Sequence, residues 1–133
     1  MRIDPHSSDP VFAQLVFQVK LAVARGELSD GDRLPSVREL ARELSINPNT
    51  VVRAYDTLES EGVILRRQGA GCFINGRPTT LNSRERNRRL TALSTRLTTE
   101  AFHLGFEVDD VKRAVDAALD RLVSVQKKSR KSR

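Results

Sequence analysis

The chain has 133 residues, 38% of them hydrophobic and only 5% aromatic, with 23 Lys and Arg against 17 Asp and Glu for a formal charge of +6. That length holds one ordinary domain, or a small domain with an appendage, and leaves no room for a large enzyme scaffold. No apolar run approaches the ~20 residues of a membrane span, the polar start lacks the apolar core of a signal peptide, and Cys72 stands alone, so no disulfide framework or cysteine metal site is expected and a reducing cytoplasm fits.

Where the charge lies decides how much it says. Residues 1–77 carry ten basic and ten acidic side chains, and the whole excess belongs to residues 78–133. Five of those positive charges sit in the last seven residues, Lys127 to Arg133. A high isoelectric point therefore does not by itself argue for nucleic acid, and the case has to rest on which faces carry which groups.

Residues 1–9 show no periodicity and read as a loose arm. Asp9-Pro10 suggests an N-cap followed by proline at the first helical position. Phe12, Leu15, Val16, Val19, Ala22 and Val23 then recur at helical spacing, and Gly26 stops the helix. Ser29 to Asp32 is turn chemistry, and Arg33-Leu34-Pro35 is an extended link. Ser36 with Glu39 forms a capping box ahead of Val37, Leu40, Ala41 and Leu44, a helix of about two turns. Ser45-Ile46 makes a tight turn with Ile46 plugging the core, and Asn47-Pro48 signals a second start. Val51, Ala54, Tyr55 and Leu58 are the inward stripe of that third helix, which Gly62 ends.

Val63 to Arg67 and Cys72 to Ile74 read as two strands around Gln68-Gly69-Ala70-Gly71. Helix, turn, helix and hairpin in this order outline a winged helix-turn-helix over residues 10–77, closed by the breakers Gly76 and Pro78. Residues 78–126 carry two more amphipathic patterns: Leu90, Leu93, Leu97, Ala101 and Leu104, then Val108, Val111, Val115, Ala118, Leu119, Leu122 and Val125. They predict an antiparallel helical hairpin ending near Gln126, too apolar to stand alone, which must pack on the winged unit or on a second copy of itself. The basic stretch 127–133 reads as a disordered tail. The fold class is thus mainly α with a small β-wing, followed by a two-helix dimerisation hairpin.

Chemistry converges on the turn. Asn49, Thr50 and Arg53 lie on or near the outward side of the third helix, and asparagine suits bidentate contact with adenine. Asn47 fits capping better than contact. Arg38, in a first helical turn, opposes the helix dipole and suits either a phosphate or a neighbouring acid, and Ser36 offers a hydroxyl beside the same helix start. Arg66 and Arg67 alternate across a strand, and Gly69 and Gly71 let backbone approach a groove. The basic run Arg84 to Arg89 opposes its helix dipole and suits either flanking phosphates or solvent. The expected partners are double-stranded DNA and a second copy of the chain, with no membrane, cofactor, metal or catalytic residue. His6 and His103 stand far apart, and no nucleophile, paired-acid or phosphate-loop pattern appears. A small-molecule effector is unknown: Leu97, Ala101, Phe102 and Phe106 offer a place for one between the helix pair and the winged unit, but fit ordinary core better. A winged module that binds protein instead of DNA is the competing reading.

The run Leu34-Pro35-Ser36-Val37-Arg38-Glu39-Leu40-Ala41, continued by Asn47-Pro48-Asn49-Thr50-Val51, Ala54-Tyr55, Leu58-Glu59, Glu61-Gly62 and Gly69-Ala70-Gly71-Cys72-Phe73, resembles the GntR family of bacterial transcription regulators. Asn47-Pro48-Asn49-Thr50 and the short helical C-terminal region resemble its YtrA-like branch. The resemblance implies a homodimeric repressor joined through the C-terminal helices, binding a palindromic operator, often of a transporter operon. Pro48 stands where many members have a base-contacting arginine, which shifts that role to Asn47, Asn49 or Arg53. Ala70 stands where family wings often carry a basic residue.

Overall fold

The computed structural model describes residues 1–77 and 79–131, with side chains to Leu122. The elements are α1 (Val11–Ala24), α2 (Val37–Leu44), α3 (Pro48–Ser60), β1 (Ile64–Arg67), β2 (Gly71–Ile74), α4 (Ser83–His103) and α5 (Val108–Lys131). The chain divides after Arg77 into two units, a winged helix-turn-helix and a pair of long helices. Among the described residues no helix is long and apolar enough to cross a membrane.

The first unit closes around one core. Leu15, Val16 and Val19 of α1, Leu40 and Ala41 of α2, and Val51, Ala54, Tyr55 and Leu58 of α3 are buried together with Leu34, Ile64 and Ile74. The inward stripes are those that helical periodicity selects. Phe12, Val37, Leu44, Ile46 and Val63 pack against this centre half-buried. Tyr55 brings a polar tip into this core, and its hydroxyl donates to the Pro35 carbonyl at 2.7 Å. Burial, with Cys72, Glu39 and Glu43 adding negative potential, pushes that phenol up from its ordinary value.

Caps set the helix ends. The Ser36 hydroxyl accepts from the Glu39 N–H at 3.1 Å, and the Asn47 side-chain Oδ1 accepts from the Asn49 N–H at 2.8 Å. Pro10, not Asp9, takes the N-cap position of α1, and no side chain caps it. At the far ends of α1, α2, α3 and α4 the chain turns back through the same paired backbone bonds, as in Gly62 N–H to Glu59 O and Val63 N–H to Leu58 O. Three of these turns use glycine. The turn after α2 uses Ser45, whose φ of 55° makes it the only non-glycine residue in the left-handed region among those described.

The arm is not loose. Gln14 and Gln18, one turn apart on α1, pair with its backbone: Arg2 N–H donates to Gln18 Oε1 at 3.0 Å and Asp4 N–H to Gln14 Oε1 at 2.8 Å. Gln14 Nε2 donates in return to the Asp4 and Asp9 carbonyls, and Gln18 Nε2 to the Arg2 carbonyl. Ile3 is thereby set against the core.

The wing is a little larger than its hairpin. Ile64 pairs with Ile74 and Arg67 with Gly71 in antiparallel register, so β2 begins at Gly71 and the tip is Gln68-Gly69-Ala70. The link before α2 adds a third edge, through an Arg33–Phe73 bridge and bonds from Leu34 N–H to Cys72 O and from Ile74 N–H to Asp32 O. Asp30 anchors the exit of the unit by accepting the Gly76 N–H at 2.8 Å. A Cβ at Gly76 would lie 2.7 Å from that of Asp30, which explains the glycine.

In the second unit, Asn82 caps α4 by accepting from Glu85 N–H, and Arg88 and Arg89 both bond the Glu85 carboxylate and hold its pKa below the ordinary value. Asp110 caps α5 by accepting from Glu107 N–H. The two helices do not close into a packed hairpin: a groove of about 250 Å³ lined by Leu97, Ala101, Leu104, Phe106, Val111 and Ala114 separates them near the turn. Leu97, Phe102 and Phe106 are exposed, not core, with Phe102 at 75%. α5 also runs on to Lys131, past the expected end at Gln126, so the backbone of the expected disordered tail is helical that far. Val125 falls beyond the described side chains, and residues 132–133 lie outside the described residues.

Candidate nucleic-acid interface

α3 presents its candidate groups because its start is open. Pro48 occupies the first helical position, where a missing N–H costs nothing, and Asn47 spends its side-chain Oδ1 on the cap. That places Asn47 in the capping role. Asn49 is exposed, and its side-chain amide makes no hydrogen bond among the described residues. Thr50 is half-buried beside it. At 100° per residue, Asn49, Val52, Arg53 and Asp56 share an arc of α3 turned away from Val51, Ala54, Tyr55 and Leu58.

Arg53 proves to have a structural partner that the periodicity did not suggest. Its guanidinium lies 3.7 Å from the centre of the Phe12 ring on α1. Such stacking holds a long side chain in one place while leaving its N–H edge outward. Arg38 is exposed in the first turn of α2 and forms no ion pair with a neighbouring acid among the described residues. Ser36 caps the same helix, with its hydroxyl oxygen engaged as acceptor.

Both wing arginines are exposed, and each has a partner within the unit. Arg66 turns back onto α3, with 2.5 Å to the Asp56 carboxylate and 3.8 Å to that of Glu59. Slight burial pulls its pKa down, but the Asp56 hydrogen bond and the two acids leave it raised overall. Arg66 is therefore not a free cation beside the wing. Arg67 rests over the Phe73 ring at 5.3 Å. At the tip Gly69 has a φ of 77°, and the backbone is free of side-chain bulk there. Gly71 belongs to β2, where an added Cβ would meet the Arg33 guanidinium at 3.2 Å, so packing as well as approach to a groove explains it.

Sequence reasoning missed Phe12 as a support, Asp56 as a partner and Val52 as an exposed apolar group. For Phe12 and Asp56 the contacts cross between elements. Val52 was legible from the helical wheel, as an apolar side chain off the inward stripe. Among the described residues no three His, Cys, Asp or Glu side chains gather into a group that could hold a metal.

The family model described as "Bacterial regulatory proteins, gntR family" matches residues 13–74, which is most of the winged unit. A crystal structure of a transcriptional regulator from Oenococcus oeni, 38% identical, covers 88% of this chain and 97% of that one with a TM-score of 0.57. The chain belongs to the GntR family. Among its GntR relatives is the HTH-type transcriptional repressor YtrA of Bacillus subtilis, 47% identical over 75 residues, which span 56% of this chain and 58% of that protein. The match thus spans a little over half the length of YtrA, and as little as 14% of other curated relatives. A transcriptional antiterminator from Listeria monocytogenes has a similar architecture over 92% of both chains, with a TM-score of 0.81 and 28% identity.

Proposed function

We propose that this GntR-type protein is a sequence-specific DNA-binding transcription regulator, a homodimeric repressor that sets α3 in the major groove of a palindromic operator, as of a transporter operon. The observation that carries the reading is the outer arc of α3. It offers an unpaired amide at Asn49 and a guanidinium held in place at Arg53, while the acid on the same arc, Asp56, is neutralised by Arg66. Arg38 adds an unpaired cation at the start of α2, suited to a phosphate. Thr50, Arg67 and the Gly69 tip are secondary contacts, and Ser36, Asn47 and Gly71 serve mainly to shape the elements.

The second unit supports the dimer. Leu90, Leu93 and Leu97 of α4, Leu104 at its C-cap, and Val115 and Leu119 of α5 are exposed in one chain, whereas Ala101 is buried and Val111 and Leu122 are half-buried. That much uncovered aliphatic surface on two helices calls for a partner, and a second copy supplies the same surface.

Selection of a preferred duplex from a random pool with the full chain tests the proposal. The expected product is a palindrome bound with affinity that falls steeply as salt rises, since phosphate contacts release counterions. Arg53→Ala is expected to lose the preference for that duplex, and Arg38→Ala to weaken all duplexes alike and shallow the salt slope by about one unit. A pool with no enriched sequence, or binding indifferent to salt, would favour a protein-binding module instead.

A further inference from the structure

Val52 is the one apolar side chain of the α3 outer arc formed with Asn49, Arg53 and Asp56. Its neighbours Val51, Ala54, Tyr55 and Leu58 are almost wholly buried, yet Val52 is 38% exposed. It lies three residues after Asn49 and four before Asp56, hence on the same side of the helix as both. A β-branched residue gains nothing there from helix propensity, and an exposed isopropyl group gains nothing from water. The position is also the reading half of α3, one turn in from the N-cap, flanked by the free Asn49 amide and the Phe12-supported Arg53 guanidinium.

We propose that Val52 is a specificity-determining residue that packs its isopropyl group on the 5-methyl of a thymine in the major groove. Among the four bases only thymine shows a methyl group on that edge; cytosine and adenine show amino donors, and guanine two acceptors, all of which an aliphatic contact would leave unsatisfied. Asn49 beside it suits adenine N6 and N7. The arc therefore selects an A·T-containing step by two independent means, an amide on adenine and an alkyl contact on thymine. This inference rests on the DNA-binding reading above and adds the base that one more residue selects.

Demethylation of single thymines isolates the contact. In the duplex that the full chain enriches from a random pool, each thymine is replaced in turn by deoxyuridine, which deletes only the methyl. Affinities are then measured for the wild type and for Val52→Ala, a variant whose helix content and melting should match the wild type. One thymine per half-site is expected to be sensitive, its demethylation weakening wild-type binding about fourfold, the worth of about one buried methylene. The same change should be nearly silent with Val52→Ala. Uniform tolerance of deoxyuridine by the wild type, or a sensitivity that persists undiminished in Val52→Ala, overturns the assignment while leaving sequence-specific binding intact. A pool from which nothing is enriched overturns the DNA-binding reading itself, and this assignment with it.

Discussion

Asp56 and Glu59 put two carboxylates near the outer arc of α3, where a duplex would bring phosphates of the same sign. Arg66 bonds one and approaches the other. Its expected value is as a mask, not as a DNA contact. Arg66→Ala should weaken binding to every duplex, about fivefold at low ionic strength, since a like-charge pair at close range costs about 1 kcal/mol even in water. Adding Asp56→Asn and Glu59→Gln to that variant should restore the loss. If the triple variant binds no better than Arg66→Ala, Arg66 touches DNA directly.

Tyr55 makes a separate residue-scale prediction. Its phenol pKa is raised in the folded state, above the unfolded value near 10. The folded state thus keeps a proton that the unfolded state releases, so stability is full below about pH 10 and falls as pH rises beyond it. As the sole tyrosine, it can be followed by phenolate absorbance alone. That band should appear together with the loss of helical circular dichroism. A phenolate formed while the helices remain intact would contradict the burial and its bond to Pro35. Tyr55→Phe should flatten the alkaline slope and cost about 1 kcal/mol for the lost hydrogen bond.

At the scale of elements, the turn between α2 and α3 carries strain that the other helix ends avoid. Ser45 sits at φ 55°, a region that costs a residue with a side chain roughly 1–2 kcal/mol. Ser45→Gly should raise the melting temperature, with a net gain of roughly 0.5–1 kcal/mol after the added freedom of the unfolded chain. Ser45→Val should lower it by more than that. A melting temperature lowered by Ser45→Gly would mean that the serine hydroxyl contributes more than its backbone costs.

For the whole molecule, the neutral winged unit and the basic second region imply different work. On the proposed function, the winged residues would supply position and reading, while the C-terminal helices would hold two copies together. Leu97→Asp places a charge in the exposed aliphatic stripe and should give a monomer in sedimentation. Affinity for the palindrome should then fall by about a hundredfold, to that of one half-site, because the second contact ceases to be intramolecular. A dimer that survives Leu97→Asp would move the interface off α4.

Much of this protein is determined locally, and the sequence alone specified that part. Ser36-x-x-Glu39, Asn47-Pro48 and the glycines after α1, α3 and α4 act through neighbours within a turn, so three helices, a hairpin and the order of a winged helix-turn-helix follow from short-range rules. The inward stripes followed too, because burial selects the periodicity. Tertiary structure decided what depends on contacts between elements. It set Phe12 beneath Arg53, turned Arg66 onto Asp56, laid the arm against Gln14 and Gln18, and added residues 31–34 to the wing. Spacing along the chain says which side of an element a residue takes, but not which distant side chain it meets there. For the same reason α4 and α5 were legible as helices and not as an open pair, since whether two apolar faces meet is decided between elements.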